Sequence, residues 1–368
     1  MADMLDYLAW RGDIEFTQMP VNPVDALIFS TLSYIDFKDI VPDNPNQSIS
    51  LADAAAGLFS LAEPQSRIRV KKDLELLKAA AASARFDNIK MTFYRSILIP
   101  EEDTQFAAVT IFLEDGSAYI AFRGTDSSLT GWKEDFNMTF QTSIPAQRLA
   151  LEYVQEFAAA HPVPLWMGGH SKGGNLAVYA AAKCGELLQK RIVEVHNQDG
   201  PGFSEAMMND PGYRNILPKL RSYVPQSSVI GMLLEHEEPY RIIRSNQVGI
   251  MQHDPYSWQV LGPDFLSMEE LTADSRFLDR TFKNWLSGMS NEERSAFFDT
   301  VFELLESTGA ERAGEIIRPH NVRAYLKTLH TNDQMRNLLA SELVRLASSA
   351  RQAQQNPEKD LPETNPQS

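Results

Sequence analysis

The sequence predicts an α/β fold, a mainly parallel sheet flanked by helices, with additional helical segments at its N- and C-terminal ends. Three observations lead there. Between Met91 and Ile243, short runs rich in β-branched and aromatic residues alternate with helical stretches, the order that builds a parallel sheet with helices on its faces. One of these runs, Pro164 to Met167, passes through a glycine-rich turn directly into a helical stretch. Outside the alternating region, apolar residues recur at three- and four-residue spacing, the rhythm of amphipathic helices.

Taken in chain order, Asp25 to Tyr34 has helical spacing. Ser50 with Asp53 marks a helix start, followed by Leu51 to Leu61, and Lys71 to Ala82 is a further helix. These make residues 1–90 an N-terminal helical cover, part of the same domain. Met91 to Tyr94 and Gln105 to Leu113 read as strands, and Asp115-Gly116 is a tight-turn signal that folds the second of these back onto Ala118 to Phe122. Gln147 to Ala159 is an amphipathic helix, Pro164 to Met167 a short buried strand, and Asn175 to Leu188 a helix of small residues. Arg191 to His196, Arg221 to Val224 and Tyr240 to Ile243 complete the strands of a core over 91–262. From Met268 the chain turns helical, giving a C-terminal helical segment over 263–350. There Ser290 and Glu293 have capping-box spacing ahead of an apolar stripe of Phe297, Val301 and Leu304, and Thr331 to Arg351 is another helix. Residues 351–368, polar and proline-containing, are expected to be a disordered tail. No internal repeat is present.

Charge and composition exclude several functions. Lys and Arg number 34 against 49 Asp and Glu, a formal net charge of −15. Such a surface repels phosphate backbones and anionic headgroups, so no nucleic-acid partner is expected. Cys184 is the lone cysteine, which precludes an internal disulfide and fits a reducing compartment. The acidic N-terminus lacks the basic and apolar regions of a signal peptide, and no uninterrupted apolar stretch has the length of a membrane span. The expected location is the cytoplasm, without stable membrane insertion. No H-E-x-x-H, paired CxxC, dinucleotide fingerprint or phosphate loop occurs, so no metal or cofactor is expected. The acidic helix from Glu292 to Glu306 reads as a solvated face rather than a calcium site. The tryptophans read as core or pocket walls, with Trp258 placed to line an acyl pocket.

The chemistry-bearing motif is Gly169-His170-Ser171-Lys172-Gly173, a G-x-S-x-G string. The pattern alone is common. Its weight comes from the short apolar strand before it and the helix after it, because a sharp strand-to-helix turn projects the serine hydroxyl and leaves no room for neighbouring Cβ atoms.

Two strings, Ala121-Phe122-Arg123-Gly124-Thr125-Asp126 and Gly169-His170-Ser171-Lys172-Gly173-Gly174-Asn175-Leu176-Ala177, resemble those of the fungal-type (class 3) lipases over residues 90–260. The N-terminal segment and layout also resemble an uncharacterised bacterial lipase-like family. The resemblance implies an α/β-hydrolase (lipase-like) fold and a serine esterase. It places Thr125 in the oxyanion hole, through its backbone N–H aided by its hydroxyl. The second donor is the backbone N–H of Lys172, the residue after the nucleophile. The Lys172 side chain reads as a surface or ion-paired lysine, and Arg123 and Asp126 as braces of their loop.

A serine hydroxyl needs a base, which in this fold follows the nucleophile in the chain. His161 and His170 precede Ser171, and the His170 side chain is expected to point away from the site. His196 lies in a strand, and His320 and His330 lie in the C-terminal helices. His236 sits in a Glu-rich stretch that reads as solvated. His253, in a late loop with Asp254-Pro255, is the candidate base. The acid is open. Asp199 emerges at a strand end where some pancreatic-type lipases place theirs. Fungal-type lipases place it one strand later, where this chain has Val224-Pro225-Gln226-Ser227-Ser228-Val229-Ile230. Either Asp199 serves or the triad is incomplete.

The expected function is therefore acyl-ester hydrolysis by a lipase or carboxylesterase through Ser171, with a small-molecule or lipid ester as substrate. The alternatives are a thioesterase or amidase, and a non-catalytic lipase-like scaffold that binds a partner.

Overall fold

The computed structural model describes residues 2–126, 128–141, 143–310, 313–316 and 318–355. The expected tail lies outside the described residues from 356 onward, whereas 351–355 continue a helix.

Strands β1 (Ser48–Ser50), β2 (Lys90–Ile99), β3 (Thr104–Phe112), β4 (Ala118–Phe122), β5 (Leu165–His170), β6 (Ile192–Gln198), β7 (Leu220–Pro225) and β8 (Tyr240–Ile243) form one sheet. β9 (Val260–Leu261) and β10 (Asp264–Phe265) pair separately, and β11 (Ser267–Met268) closes the sheet's far edge beside β8. The order is β1-β2-β3-β4-β5-β6-β7-β8-β11. From β4 to β8 every neighbour is parallel, with Phe122 opposite Gly169 and His170 opposite Gln198 at the C-terminal ends. β3–β4 and β8–β11 are antiparallel. The Asp115-Gly116 turn joins β3 to β4, with Gly116 at φ +82.

The chain divides into two units. The first comprises Met1–Leu98, Phe106–Gly124 and Ala146–Leu271, and the second Ile99–Gln105, Thr125–Pro145 and Thr272–Ser368. Helices α1 (Met4–Arg11), α2 (Pro23–Leu32), α3 (Leu51–Phe59) and α4 (Lys71–Ala81) precede the main sheet strands. Next comes α5 (Leu129–Asn137) in the second unit, then α6 (Pro145–Ala160), α7 (Lys172–Lys183), α8 (Glu186–Gln189), α9 (Glu205–Met208) and α10 (Pro211–Ile216). The C-terminal helices are α11 (Ala273–Ser287), α12 (Asn291–Glu306), α13 (Ala313–Ile316), α14 (Pro319–Thr331) and α15 (Asp333–Gln355).

In the first unit, helices cover both sheet faces. Central β4 is buried at every position, as a strand covered on both sides must be. On one face lies α2, buried from Val24 to Leu32, with Phe29 tilted against Tyr119 of β4 at 4.8 Å. On the other lie α6, whose Tyr153 stacks on Phe93 at 4.4 Å, and α7, whose glycines meet the sheet directly. The expected helix Asn175 to Leu188 breaks in two at Gly185, whose φ of +86 ends α7 and turns Leu187 outward.

The second unit gathers 125–145 with the C-terminal helices, so the expected 91–262 core is interrupted. Aromatic packing explains this grouping. Phe136 of α5 stacks on Phe298 at 4.6 Å and meets Phe302 at 6.0 Å. Those contacts also set the buried stripe of α12, which is Phe298, Phe302 and Leu304 rather than Phe297, Val301 and Leu304. The Ser290–Glu293 capping box forms. No helix among the described residues is long and apolar enough to cross a membrane.

Under α2 the first unit buries an ion pair. Arg85 and Asp25 side chains are both fully inaccessible, at 2.6 Å. All five guanidinium hydrogens have acceptors: both Asp25 oxygens and the carbonyls of Ile14, Met19 and Pro20. A buried charge that loses its partner costs about 3–5 kcal/mol. Asp25→Asn should therefore lower unfolding stability by about that amount, read as a drop in urea midpoint at unchanged m-value.

Candidate active site

β5 ends at His170 and α7 starts at Lys172, leaving Ser171 to make the turn with φ +60 and ψ −135. That region is strained for any residue with a Cβ and costs on the order of 1–3 kcal/mol. The surroundings hold it in place. The Ser171 amide donates to the Gln198 carbonyl at 2.9 Å, and its carbonyl accepts from Gly174 at 2.9 Å. A Cβ on Gly169 would fall 2.3 Å from the Gly173 carbonyl carbon, and one on Gly173 would fall 2.2 Å from the Phe122 carbonyl oxygen. One on Gly174 would fall 2.2 Å from the Asn197 side-chain oxygen. The glycines therefore let β4, β5, β6 and α7 converge on Ser171.

Asp199 follows β6 directly, again with positive φ (+55), its amide bound to the Tyr223 carbonyl on β7. Its carboxylate is fully buried and accepts three hydrogen bonds. Oδ2 faces His253 Nδ1 at 2.6 Å, while Oδ1 accepts the Ser228 hydroxyl at 2.5 Å and the Gly231 amide at 3.1 Å. Since a carboxylate only accepts, Nδ1 of His253 carries the proton and Nε2 presents a lone pair when the ring is neutral. Of the open alternatives for the acid, Asp199 is the carboxylate that meets His253. Ser228, from the stretch where the acid was sought, is a donor to it.

His253 ends a 3₁₀ turn (Gly249–His253) in a loop held on several sides. Gln252 accepts the Ser227 amide at 2.9 Å and donates to the Gln247 carbonyl at 2.9 Å. Trp258 is fully buried and its indole N–H donates to the Gln252 carbonyl at 3.0 Å, so it braces the loop from the core instead of lining an acyl pocket.

His170 departs from expectation. Its ring lies 4.5 Å from that of His253, with Nε2 at 2.7 Å from the His253 carbonyl and Nδ1 at 3.0 Å from the Tyr34 hydroxyl. Burial first, then the neighbouring His253 and Arg69, hold its pKa well below the usual histidine range, so it is neutral. Nothing in the motif marks this role, because its partners are 83 and 136 residues away.

Lys172 is buried rather than on the surface, and its amide opens α7, in the first turn where a helix's own carbonyls do not reach. Thr125 begins a segment of the second unit, where its hydroxyl donates to Asp135 at 2.5 Å, so that proton is committed there. Asp126 braces its loop through the Ser128 amide at 2.7 Å. His236, expected in a solvated stretch, is buried against Glu238 at 3.1 Å. Burial raises the Glu238 pKa, but His236 together with the Tyr213 hydroxyl overrides it and holds the carboxyl at about 2. Ser222 also donates to this carboxylate, at 2.8 Å. Among the described residues no group of three or more His, Cys, Asp or Glu side chains could hold a metal.

Comparison with known proteins gives one family match and three solved structures. Residues 80–303 match the family model described as Mbeg1-like. Among solved structures, the chain is similar to M37 lipase at 15% identity over 57% of this chain and 69% of that one, with a TM-score of 0.36. It is also similar to the Rhizomucor miehei lipase propeptide complex, at 16% identity over 48% and 70% with a TM-score of 0.32. The deletion mutant of that complex gives 18%, 52%, 71% and 0.36. No curated protein matches. With 80–303 spanning more than half of the chain, from the end of α4 into α12, this protein, a mainly parallel α/β sheet flanked by helices, belongs to the Mbeg1-like family.

Proposed function

We propose that this chain is a serine hydrolase of acyl esters that works through an acyl-enzyme on Ser171. The observation that carries the reading is the 2.6 Å contact between His253 Nδ1 and the buried Asp199 carboxylate, at the strand ends where Ser171 makes its strained turn. Asp199 adjoins Gln198, whose carbonyl holds the Ser171 amide. His253 stacks near His170, the residue before Ser171.

In the proposed reaction Ser171 Oγ forms a bond to the ester carbonyl carbon as its proton passes to His253 Nε2. The carbonyl π electrons move onto oxygen, and the Lys172 amide at the start of α7 donates a hydrogen bond to that oxyanion, helped by the helix dipole. Collapse breaks the C–O bond to the alcohol, which leaves with the proton from Nε2. Water then attacks the acyl-enzyme, its proton passing to Nε2 and on to Ser171 Oγ, and a carboxylic acid leaves. Throughout, Asp199 keeps the Nδ1 proton in place and stabilises the imidazolium. Lipase and carboxylesterase differ in acyl length. Thioester and amide cleavage use the same steps, so the substrate series below includes both.

The scaffold alternative rests on serines standing where an acid is sought. Ser228 donating to Asp199 gives one of those serines a place beside the His253–Asp199 pair, and this favours the hydrolase reading.

A fluorophosphonate probe should label the wild-type chain and leave Ser171→Ala unlabelled. His253→Ala should lose at least about a thousandfold in labelling rate. An unlabelled wild type would leave the scaffold reading standing. p-Nitrophenyl esters of graded length, with matched thioesters and anilides, read the acyl preference and bond type.

The two partners of the base should differ in size of effect. Asp199→Asn permits the wrong imidazole tautomer and should lower kcat by about 10⁴. Ser228→Ala removes one donor to the carboxylate and should lower kcat about tenfold. Equal, near-wild-type kcat for both variants would remove Asp199 as the acid.

A further inference from the structure

We propose that Tyr34 and His170 are positioning residues that hold the backbone of the His253 loop, so that the N-terminal segment ahead of the family match completes the site. This rests on the hydrolase reading above.

The hydrogen-bond directions follow by elimination. The His253 carbonyl can only accept, so His170 Nε2, 2.7 Å away, carries the hydrogen. A neutral imidazole has a single N–H, so its Nδ1 is an acceptor, and the Tyr34 hydroxyl at 3.0 Å is its donor. The Tyr34 proton thus fixes the tautomer that lets His170 grip the main chain of the proposed base. A neutral ring is required there. A charged one 4.5 Å from His253 would oppose the imidazolium formed during catalysis.

The Tyr34 hydroxyl is seated where β4 meets the elbow. A Cβ on Gly124 would fall 2.2 Å from it, and the His170 carbonyl is 3.4 Å away. The same segment grips the loop further on. The Tyr256 hydroxyl donates to Asp73 at 2.8 Å, and Arg69 lies over the Tyr34 ring at 4.4 Å with Asp254 4.0 Å from its guanidinium. Tyr34, Arg69 and Asp73 all precede residue 80, where the family match begins. The segment therefore supports the loop from 253 to 256 through side chains that the matched region does not contain.

The test uses the full chain and Tyr34→Phe, which removes a single oxygen. The expected result is a loss of about 10–100-fold in fluorophosphonate labelling rate and in kcat on a p-nitrophenyl ester, with KM little changed. The thermal unfolding midpoint reports folding separately. A merely structural role would lower the midpoint and leave kcat of the folded fraction intact, and that result would overturn the proposal. A second arm compares His170→Gln with His170→Leu. The glutamine amide can still donate to the His253 carbonyl, so it should recover kcat relative to leucine. Equal kcat in both would also overturn it. A wild-type chain that does not label sinks the hydrolase reading itself. A labelled wild type with an unaltered Tyr34→Phe sinks only this inference.

Discussion

Everything at the site depends on the absence of three Cβ atoms. Gly169, Gly173 and Gly174 each stand within 2.3 Å of where a methyl would meet backbone or a buried amide oxygen. Interiors packed at crystal density cannot absorb such overlaps by small shifts. Their removal lets α7 start against β4 and β6, and this forces the one residue between strand and helix into a left-handed conformation. Ser171 is strained because its neighbours are not. The elbow is a property of how four elements converge, and its cost is met by their packing.

A second constraint is electrostatic. The chain is strongly acidic overall, yet the carboxylate at its centre is surrounded by neutral donors and one imidazole. Three hydrogen bonds make a buried anion tolerable without a permanent cation. A lysine or arginine in that place would stabilise Asp199 but would also oppose a positive charge on His253. Hydroxyl and amide donors have no such effect. The neutral state of His170 follows the same logic from the other side of His253.

The parts legible in sequence were those fixed by local chemistry. Glycines flanking a serine between strand and helix announce the elbow because the pattern is contiguous in the chain, even though two of the overlaps it avoids are with distant Phe122 and Asn197. Chain order pointed to His253 and strand ends left Asp199 as one of two open choices, and the parallel sheet, which brings consecutive C-terminal ends to one edge, sets the two side chains 2.6 Å apart. What stayed hidden depends on long-range partners. His170 looks outward-facing until Tyr34 is packed beside it, and His236 looks solvated until Tyr213 and Ser222 close over Glu238. Two of the three positions in the α12 stripe are offset by one residue, with Leu304 unchanged, because Phe136, over 150 positions earlier, chooses which face is buried. Periodicity detects that a helix has an apolar face, but partners decide where its centre lies. The grouping of 125–145 with the C-terminal helices has the same origin.

A carboxylate at the end of β6 and a serine after β7, both hydrogen-bonded at one point, tie these together. β6 and β7 lie parallel with Gln198 opposite Tyr223, so their C-terminal ends are about one strand spacing, some 4.8 Å, apart. A histidine on a loop above both can meet a carboxylate from either, provided the other end supplies a donor in place of an acid. Here Asp199 turns back with positive φ and ties its amide to the Tyr223 carbonyl. That contact aims its carboxylate across β7 toward Ser228. A serine where lipases of the fungal type carry an acid is then the complement of an aspartate one strand earlier, and neither residue can be interpreted without the other. Two carboxylates at those ends would repel in a buried site, and two serines would leave the imidazole unoriented. One of each satisfies both the charge and the hydrogen bonds.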